Sequence, residues 1–188
     1  MTAARRRRLR GLEVAPVRGP DIETVRIAGP EDKAEVMRLL IEAHAENGLV
    51  PYHLPKVEWL LDRMLSPELI PAWDTQPRGV IGVIGGKRLK GMAILIIGSI
   101  WYAIERHLEE LIVFVPPEYR HQYIHNTLIE WMKEQSRSTG LRLMAGILSD
   151  KPRVEAKIRL YERKLPKAGA VFCFDPLTQV STAVLVMH

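Results

Sequence analysis

LIVFVPPEYRHQYIH, residues 111–125, is the stretch of sequence that decides the fold. Its first five residues are apolar and mostly β-branched or aromatic, which is typical of a buried strand, and Pro116 and Pro117 end that strand. Apolar residues then recur at helical spacing from Ile124 to Met132, so a helix begins just after the prolines. A helix start leaves unpaired backbone N–H groups at the positive end of the helix dipole. We therefore predict that this loop binds an anion such as a pyrophosphate.

The rest of the chain predicts an α/β (α+β) domain with a mixed, mainly antiparallel central sheet and about four flanking helices. The predicted elements are a strand at 24–28, helices from Pro30 and Pro55, strands at 79–84, 89–97 and 109–115, a helix at 122–139, a strand at 142–148, a helix at 153–164, and strands at 170–174 and 182–187. The order is therefore β-α-α-β-β-β-α-β-α-β-β. In the first helix the spacing predicts one buried stripe, formed by Ala34, Met37, Leu40, Ile41 and His44.

Basic residues are concentrated at the N-terminus of a chain whose formal net charge is +5. The arginines of this segment are Arg5, Arg6, Arg7, Arg8 and Arg10. Residues 1–22 show no apolar periodicity, so we predict an extended basic arm ahead of a domain over residues 23–188. Nucleic acid or an acidic protein surface would bind this arm. Such contacts would also allow assembly into a larger complex. A solvated, mobile terminus is the alternative.

The composition argues against several other classes of protein. The single cysteine, Cys173, lies in an apolar run and has no partner for an internal disulfide, which favours a reducing compartment. The longest apolar run, Met92–Ile97, is too short for a membrane span, and no signal-peptide pattern follows the basic arm. We therefore predict a cytoplasmic protein without a membrane segment. The histidines lack the spacing and partners of a zinc site, so no metal is predicted.

The loop and its surroundings resemble the GCN5-related N-acetyltransferase superfamily. That family has the pattern Q/R-x-x-G-x-G/A between its fourth strand and third helix, and Arg120 matches the first position. Tyr123 and His125 stand where the family has glycines, which let the backbone approach the pyrophosphate closely. The resemblance implies that acetyl-CoA is the acyl donor. The residues it implies for binding are Val113, Phe114 and Val115 at the pantetheine, and Arg120, His121, Gln122, Tyr123, Ile124 and His125 around the pyrophosphate.

The resemblance also implies residues for proton transfer. Tyr161 follows Leu160 on the predicted fourth helix, as does the family tyrosine that protonates the leaving CoA thiolate. Glu109 lies four residues before Val113, which predicts the same face of the strand, and it resembles the glutamate base of some family members. Glu110 is the substitute candidate. The alternatives are that the Tyr161 ring packs inward and that both acids are exposed to solvent.

These residues lead to two hypotheses of function. The first is an acetyl-CoA-dependent N-acetyltransferase that moves the acetyl group directly to an unidentified small-molecule or protein amine. The second is a catalytically degenerate protein of the same fold, either a virion component or a nucleic-acid-associated factor that acts through the basic arm. The stretch 156–172 and the VPPEYR loop also resemble acetyltransferase-like proteins of tailed phages. That resemblance implies the cytoplasm of a bacterial host, or a virion, as the location.

Overall fold

The fold is a five-stranded sheet with two helices on each face. A computed structural model describes residues 23–47, 51–65, 79–100, 102, 104–120, 123–147 and 154–167. The strands are β1 (Arg26–Ile27), β2 (Gly79–Gly85), β3 (Leu89–Ser99), β4 (Arg106–Phe114) and β5 (Arg142–Met144), and the helices are α1 (Lys33–Asn47), α2 (Leu54–Leu65), α3 (Ile124–Thr139) and α4 (Val154–Glu162). Their order agrees with the predicted order. The predicted arm and the last two predicted strands lie outside the described residues.

The sheet is mainly antiparallel, as predicted, with the strand order β1-β2-β3-β4-β5. The hairpin of β2 and β3 pairs Gly79 with Ile96 and continues to Ile84 and Gly91. The exception is the pair β4 and β5, which is parallel because α3 carries the chain back across the sheet between them. None of the helices in the described part of the chain is long and apolar enough to span a membrane.

The core has two halves, one on each face of the sheet. Helices α1 and α2 cover one face, whose buried side chains include Leu39, Leu61 and Met92. Helices α3 and α4 cover the other face, where Leu128 and Leu95 are buried. We call these two halves the α1/α2 core and the α3/α4 core.

The buried stripe of α1 differs from the predicted one. Ala34 is exposed and Ile41 is 50% exposed, whereas the buried positions are Val36, Leu39 and Ala43. The prediction was therefore wrong at Ala34 and Ile41, whereas Met37 and Leu40 pack against the α1/α2 core as predicted. A pair of polar contacts, which the apolar spacing does not reveal, lies beside the buried positions.

Those contacts join α1 to the first residue of β3. Glu35 Oε2 accepts a hydrogen bond of 2.9 Å from the Leu89 backbone N–H, and Arg38 Nη2 donates one of 2.9 Å to the Leu89 carbonyl. Glu35 and Arg38 also form a salt bridge of 2.9 Å. Because this edge of the helix is held at β3, the neighbouring positions 36, 39 and 43 face the sheet.

Helix α3 lies close to the sheet because two glycines leave room for it. A Cβ atom at Gly82 would lie 2.7 Å from the Trp131 ring, and one at Gly91 would lie 2.8 Å from the Ile124 side chain. Gly140 ends the helix in a left-handed conformation with φ of 69°, which confirms the predicted C-terminal cap. The first turn of α3 is therefore held directly above the end of β4.

Replacing Gln135 on α3 by methionine is expected to stabilise the protein. The Gln135 side chain is 1% exposed, and within the described residues both of its amide atoms lack a hydrogen-bond partner. Because an unsatisfied buried polar group is costly and methionine has a similar length, we expect the free energy of unfolding to rise by about 1–2 kcal/mol. Urea unfolding at equilibrium measures this. Gln135→Ala is the control, since it removes the same amide but leaves a cavity and should destabilise; a loss of stability in Gln135→Met would show that the amide has a partner.

Candidate functional site

The candidate site begins where strands β4 and β5 stop pairing. The parallel pairs are His107 with Arg142, Leu108 with Leu143, and Glu109 with Met144. Beyond them, within the described residues, β4 pairs only with β3 on its other side. We call the segment Glu110–Phe114, on the side facing away from β3, the open edge of β4. No strand of the described residues pairs with this side, which leaves it open to an extended ligand, although the Val113 N–H also acts on the Glu110 carboxyl group.

A β-bulge in β4 decides which side chains share a face. Ile112 pairs with Ile94, but the next pair is Glu110 with Leu95, so Leu111 is an extra residue. Paired residues of antiparallel strands project to the same face. Glu110 therefore projects with Leu95 into the α3/α4 core, and the odd count of residues across the bulge brings Val113 to that face as well.

The predicted position of Glu109 was wrong for the same reason. Glu109 pairs with Ile96, which packs against the α1/α2 core, whereas Val113 pairs with Ala93 of the α3/α4 core. The two residues therefore lie on opposite faces. The Glu109 side chain is 50% exposed, and its Oε2 atom is 3.9 Å from His107 Nε2. The alternative that Glu109 is exposed to solvent therefore agrees with its surroundings. The role of Glu109 as a base stays a prediction.

Glu110 and Tyr161, which the sequence named as candidates for separate proton transfers, lie in direct contact. The Tyr161 hydroxyl donates a hydrogen bond of 2.8 Å to Glu110 Oε1, which joins α4 to the first residue of the open edge. The Tyr161 ring also packs against the α3/α4 core, so both predicted roles of the ring are compatible with its position. No hydrogen bond of good geometry reaches the buried Glu110 Oε2 atom from the described residues, although the Val113 backbone N–H lies near enough to favour the charged form of the carboxyl group.

The surroundings of this pair shift the pKa of both groups. Burial raises the pKa of Glu110 to about 7, against the opposing effects of the hydrogen bond from Tyr161 and of the Val113 backbone N–H. Burial also raises the pKa of Tyr161, and the negative charge of Glu110 raises it further. The carboxyl group therefore exchanges its proton near neutral pH. The phenol keeps its proton near neutral pH, and because a thiolate is a weaker base than a phenolate, Tyr161 can protonate one only where the site assists the transfer.

The start of α3 lies at the other end of the open edge. Its N-cap residue is Tyr123, and the first backbone hydrogen bond of the helix runs from the Thr127 N–H to the Tyr123 carbonyl over 3.1 Å. No side chain caps this end. The amide N–H groups of the first turn therefore have no side-chain cap, and the predicted anion site at this turn stays a prediction.

Tyr123 has a backbone conformation that favours glycine. Its φ is 44°, which places it in the left-handed region, and its side chain is 72% exposed. A non-glycine residue pays about 1–2 kcal/mol for this conformation. Tyr123 thus adopts a left-handed conformation at the position where the resemblance places the first glycine.

Arg120 is bound to helix α1 and to its own loop. Its Nη2 donates to Glu46 Oε2 over 2.5 Å, and its Nε donates to the Val115 carbonyl over 2.9 Å. The guanidinium also lies 5.9 Å from the centre of the Phe114 ring. Arg120 therefore fixes the loop between β4 and α3. Glu46 was not among the predicted site residues, since a contact across 74 residues leaves no signal in a single sequence.

His125 contributes a neutral imidazole to the loop. Burial lowers its pKa to about 4, and the positive charges of Arg120 and Lys157 lower it further, against the opposing charge of Glu46. It therefore adds no positive charge near neutral pH. Ile124, in contrast, is buried and anchors the helix on Gly91. The predicted residues His121 and Gln122 lie outside the described part of the chain.

A second cleft lies beside the end of β4, next to α1. Its volume is about 490 Å³. The residues that line it are Glu42, Ala45, Glu46, Phe114, Pro117 and Glu118. Two of its three carboxylates are paired, Glu42 with Arg38 and Glu46 with Arg120. Among the described residues there is no group of three or more histidine, cysteine, aspartate or glutamate side chains that could hold a metal ion.

The comparisons with known proteins identify the fold. No protein-family model matches the sequence, and no curated protein matches it. Among solved structures, ribosomal-protein-alanine N-acetyltransferase from Brucella melitensis biovar Abortus 2308 is similar, with 16% identity and a TM-score of 0.59 over 80% of this chain and 96% of that one. A putative acetyltransferase from Arthrobacter sp. FB24 has 19% identity and a TM-score of 0.59, over 85% and 99% of the two chains.

A third similar structure is an aminoglycoside acetyltransferase from an uncultured soil metagenomic sample. It has 11% identity and a TM-score of 0.56, over 80% of this chain and 93% of that one. All three chains are covered almost completely, so the similarity extends over a whole domain. The chain has the fold of the GCN5-related N-acetyltransferases, as the sequence predicted.

Proposed function

We propose that this protein is an N-acetyltransferase that passes the acetyl group of acetyl-CoA directly to an amine. One observation carries the proposal: the hydrogen-bonded pair of Glu110 and Tyr161 lies where the open edge of β4 begins. The uncapped start of α3 lies where that edge ends. A proton donor and an anion site are thus placed at the two ends of one backbone segment. The similar structures carry names that describe acetyl transfer, which supports the same reaction class.

The open edge and the loop fit the chemistry of the donor. The pantetheine part of acetyl-CoA contains amide groups, and Val113, Phe114 and Val115 would bind them through their backbone as an added strand would be bound. The amides of the first turn of α3 would hold the pyrophosphate. Since His125 is neutral and Arg120 is paired with Glu46, the attraction for phosphate would come chiefly from backbone N–H groups and the helix dipole.

The proposed reaction needs two proton transfers and no protein nucleophile. The thioester supplies an activated acetyl group. The amine nitrogen must lose a proton, either to Glu109 or to water, before the new amide is complete. Tyr161 would give its proton to the sulfur as the bond between carbon and sulfur breaks. A tyrosine held in place by Glu110 suits this role, because position and timing matter more than its acidity in solution.

Calorimetric titration with acetyl-CoA tests the proposal. The variant Tyr123→Gly is expected to bind acetyl-CoA about fivefold more tightly than the wild type. Glycine removes the side chain from the approach to the phosphates, and this accounts for the tighter binding, because the relief of backbone strain at residue 123 is the same in the free and the bound protein. Tyr123→Phe is the matched control, because it keeps the strained backbone and the ring; its affinity should equal that of the wild type.

The same titration gives two outcomes that oppose the proposal. If neither the wild type nor Tyr123→Gly binds acetyl-CoA at high micromolar concentration, the protein is not an acetyl-CoA-dependent enzyme. If both bind it equally well, residue 123 is not part of the phosphate site. The alternative function, through Arg5, Arg6, Arg7, Arg8 and Arg10, stays a prediction because the arm lies outside the described residues. The cytoplasmic location and the phage origin also stay predictions.

A further inference from the structure

We propose that Glu110 is a positioning residue whose protonation sets the direction of the Tyr161 hydroxyl, so that Tyr161 acts as an acid only when Glu110 is protonated. This inference rests on the proposed function and deepens it. It starts from the 2.8 Å hydrogen bond between Tyr161 Oη and Glu110 Oε1. In that bond, the Tyr161 proton that the reaction needs is donated to Glu110 and is not directed at the leaving sulfur.

The direction of this hydrogen bond depends on the charge of Glu110. A phenol has one hydrogen to donate, and an ionised carboxylate can only accept. While Glu110 is ionised, the Tyr161 hydrogen must point to Oε1 and cannot reach the thiolate. A protonated Glu110 can instead donate its own hydrogen to Tyr161 Oη. The phenol hydrogen is then free to turn toward the leaving group.

Among the described residues, the groups that favour the charged form of Glu110 are the Tyr161 hydroxyl and the Val113 backbone N–H, and both are uncharged dipoles. From β3 Glu110 faces Leu95, and from α4 it meets Tyr161, which is the titratable side chain of the described residues that acts on it. Glu109 projects to the other face of the sheet. Lys157, one turn before Tyr161, acts on the pKa of His125. Since no cationic side chain of the described ranges acts on Glu110, burial favours its neutral form, and its pKa of about 7 is consistent with the geometry.

The proton balance of the step is complete. Tyr161 gives its proton to the sulfur, which forms the thiol and leaves a phenolate oxygen. The acid proton of Glu110 then passes to that oxygen along the existing hydrogen bond. The Glu110 carboxylate takes up a proton from water when the products leave. No oxidant, reductant or further co-reactant is needed.

The first test needs no turnover. Carboxyl groups of ¹³C-labelled glutamate are titrated by NMR in the wild type and in Glu110→Gln, which assigns the Glu110 signal by its loss. We expect a midpoint at about 7, and a higher midpoint in Tyr161→Phe because that variant loses a hydrogen bond that favours the charged form. A Glu110 signal that titrates in the ordinary range for glutamate would overturn the inference.

The second test follows thiol release from acetyl-CoA, with hydroxylamine as a small acceptor. Glutamine is always neutral and can donate an N–H to Tyr161 Oη, so Glu110→Gln should lose the decline at alkaline pH. The ratio of the Glu110→Gln rate to the wild-type rate should rise about tenfold from about pH 6 to about pH 8. The effect of pH on the acceptor cancels in this ratio. A ratio that stays constant overturns the inference. A wild type that cannot bind acetyl-CoA refutes the proposed function, and the NMR titration then tests the protonation of Glu110 beside Tyr161 by itself.

Discussion

Tyr161→Phe is expected to lower kcat for acetyl transfer about a hundredfold, while the Kd for acetyl-CoA changes less than about twofold. The variant loses the proton donor, but it keeps the ring that packs against the α3/α4 core. A loss confined to kcat is the expected result for a group that acts in the transition state. Steady-state kinetics of thiol release, together with calorimetric titration, measure the two quantities separately.

Tyr52→Phe is the matched control for this variant. Tyr52 is also partly buried, and its hydroxyl contacts the Met37 sulfur at 3.3 Å on the side of the sheet covered by α1 and α2. Its removal deletes one tyrosine hydroxyl without touching the α3/α4 core, so kcat should remain at the wild-type value. If Tyr161→Phe instead keeps the wild-type kcat, the residue packs the core and does nothing more.

The order of the elements could be predicted from the sequence because it depends on local signals. Pro116 and Pro117 end β4 where they stand, and the helical spacing after Tyr123 gives α3 over the range observed. Gly140 ends that helix by the left-handed conformation expected of a cap. The leucine and tyrosine at 160 and 161 lie on α4 in the position that the resemblance implied. Each of these features is decided within a few residues of the chain.

The parts of the site that could not be predicted depend on contacts between distant elements. The extra residue at Leu111 separates the faces of Glu109 and Val113, and a bulge has no reliable pattern in one sequence. The salt bridge of Arg120 and Glu46 needs the end of α1 to meet the loop after β4. Counting residues along β4 therefore chose the wrong face for Glu109, and the hydrogen bond between Glu110 and Tyr161 could not be foreseen from two candidates that were named for separate roles.

Glu110 and His125 should change the free energy of unfolding in opposite directions across the same range of pH. The folded-state pKa of Glu110 is about 7, above the ordinary value of 4.5, so the native state binds more protons than the unfolded state between these values. Its contribution to stability is complete below about pH 4.5 and is lost as the pH rises to about 7. The loss should amount to about 3 kcal/mol.

His125 has the opposite effect. Its folded-state pKa is about 4, below the ordinary value of 6.5, so the native state binds fewer protons than the unfolded state in this range. The free energy of unfolding therefore rises by about 3 kcal/mol as the pH increases from about 4 to about 6.5. In the wild type the contributions of the two residues largely cancel.

Single substitutions should reveal the two contributions separately. Relative to the wild type, Glu110→Gln should gain about 3 kcal/mol between about pH 4.5 and about pH 7, and His125→Gln should lose about 3 kcal/mol between about pH 4 and about pH 6.5. Urea unfolding across this range measures both, and any effect that does not depend on pH drops out of the comparison. Curves that run parallel to the wild type would mean that Glu110 and His125 titrate normally. Glu110 can be protonated near neutral pH only if its pKa is raised. Parallel curves for Glu110→Gln would therefore also contradict the proposal that protonation of Glu110 directs the Tyr161 hydroxyl.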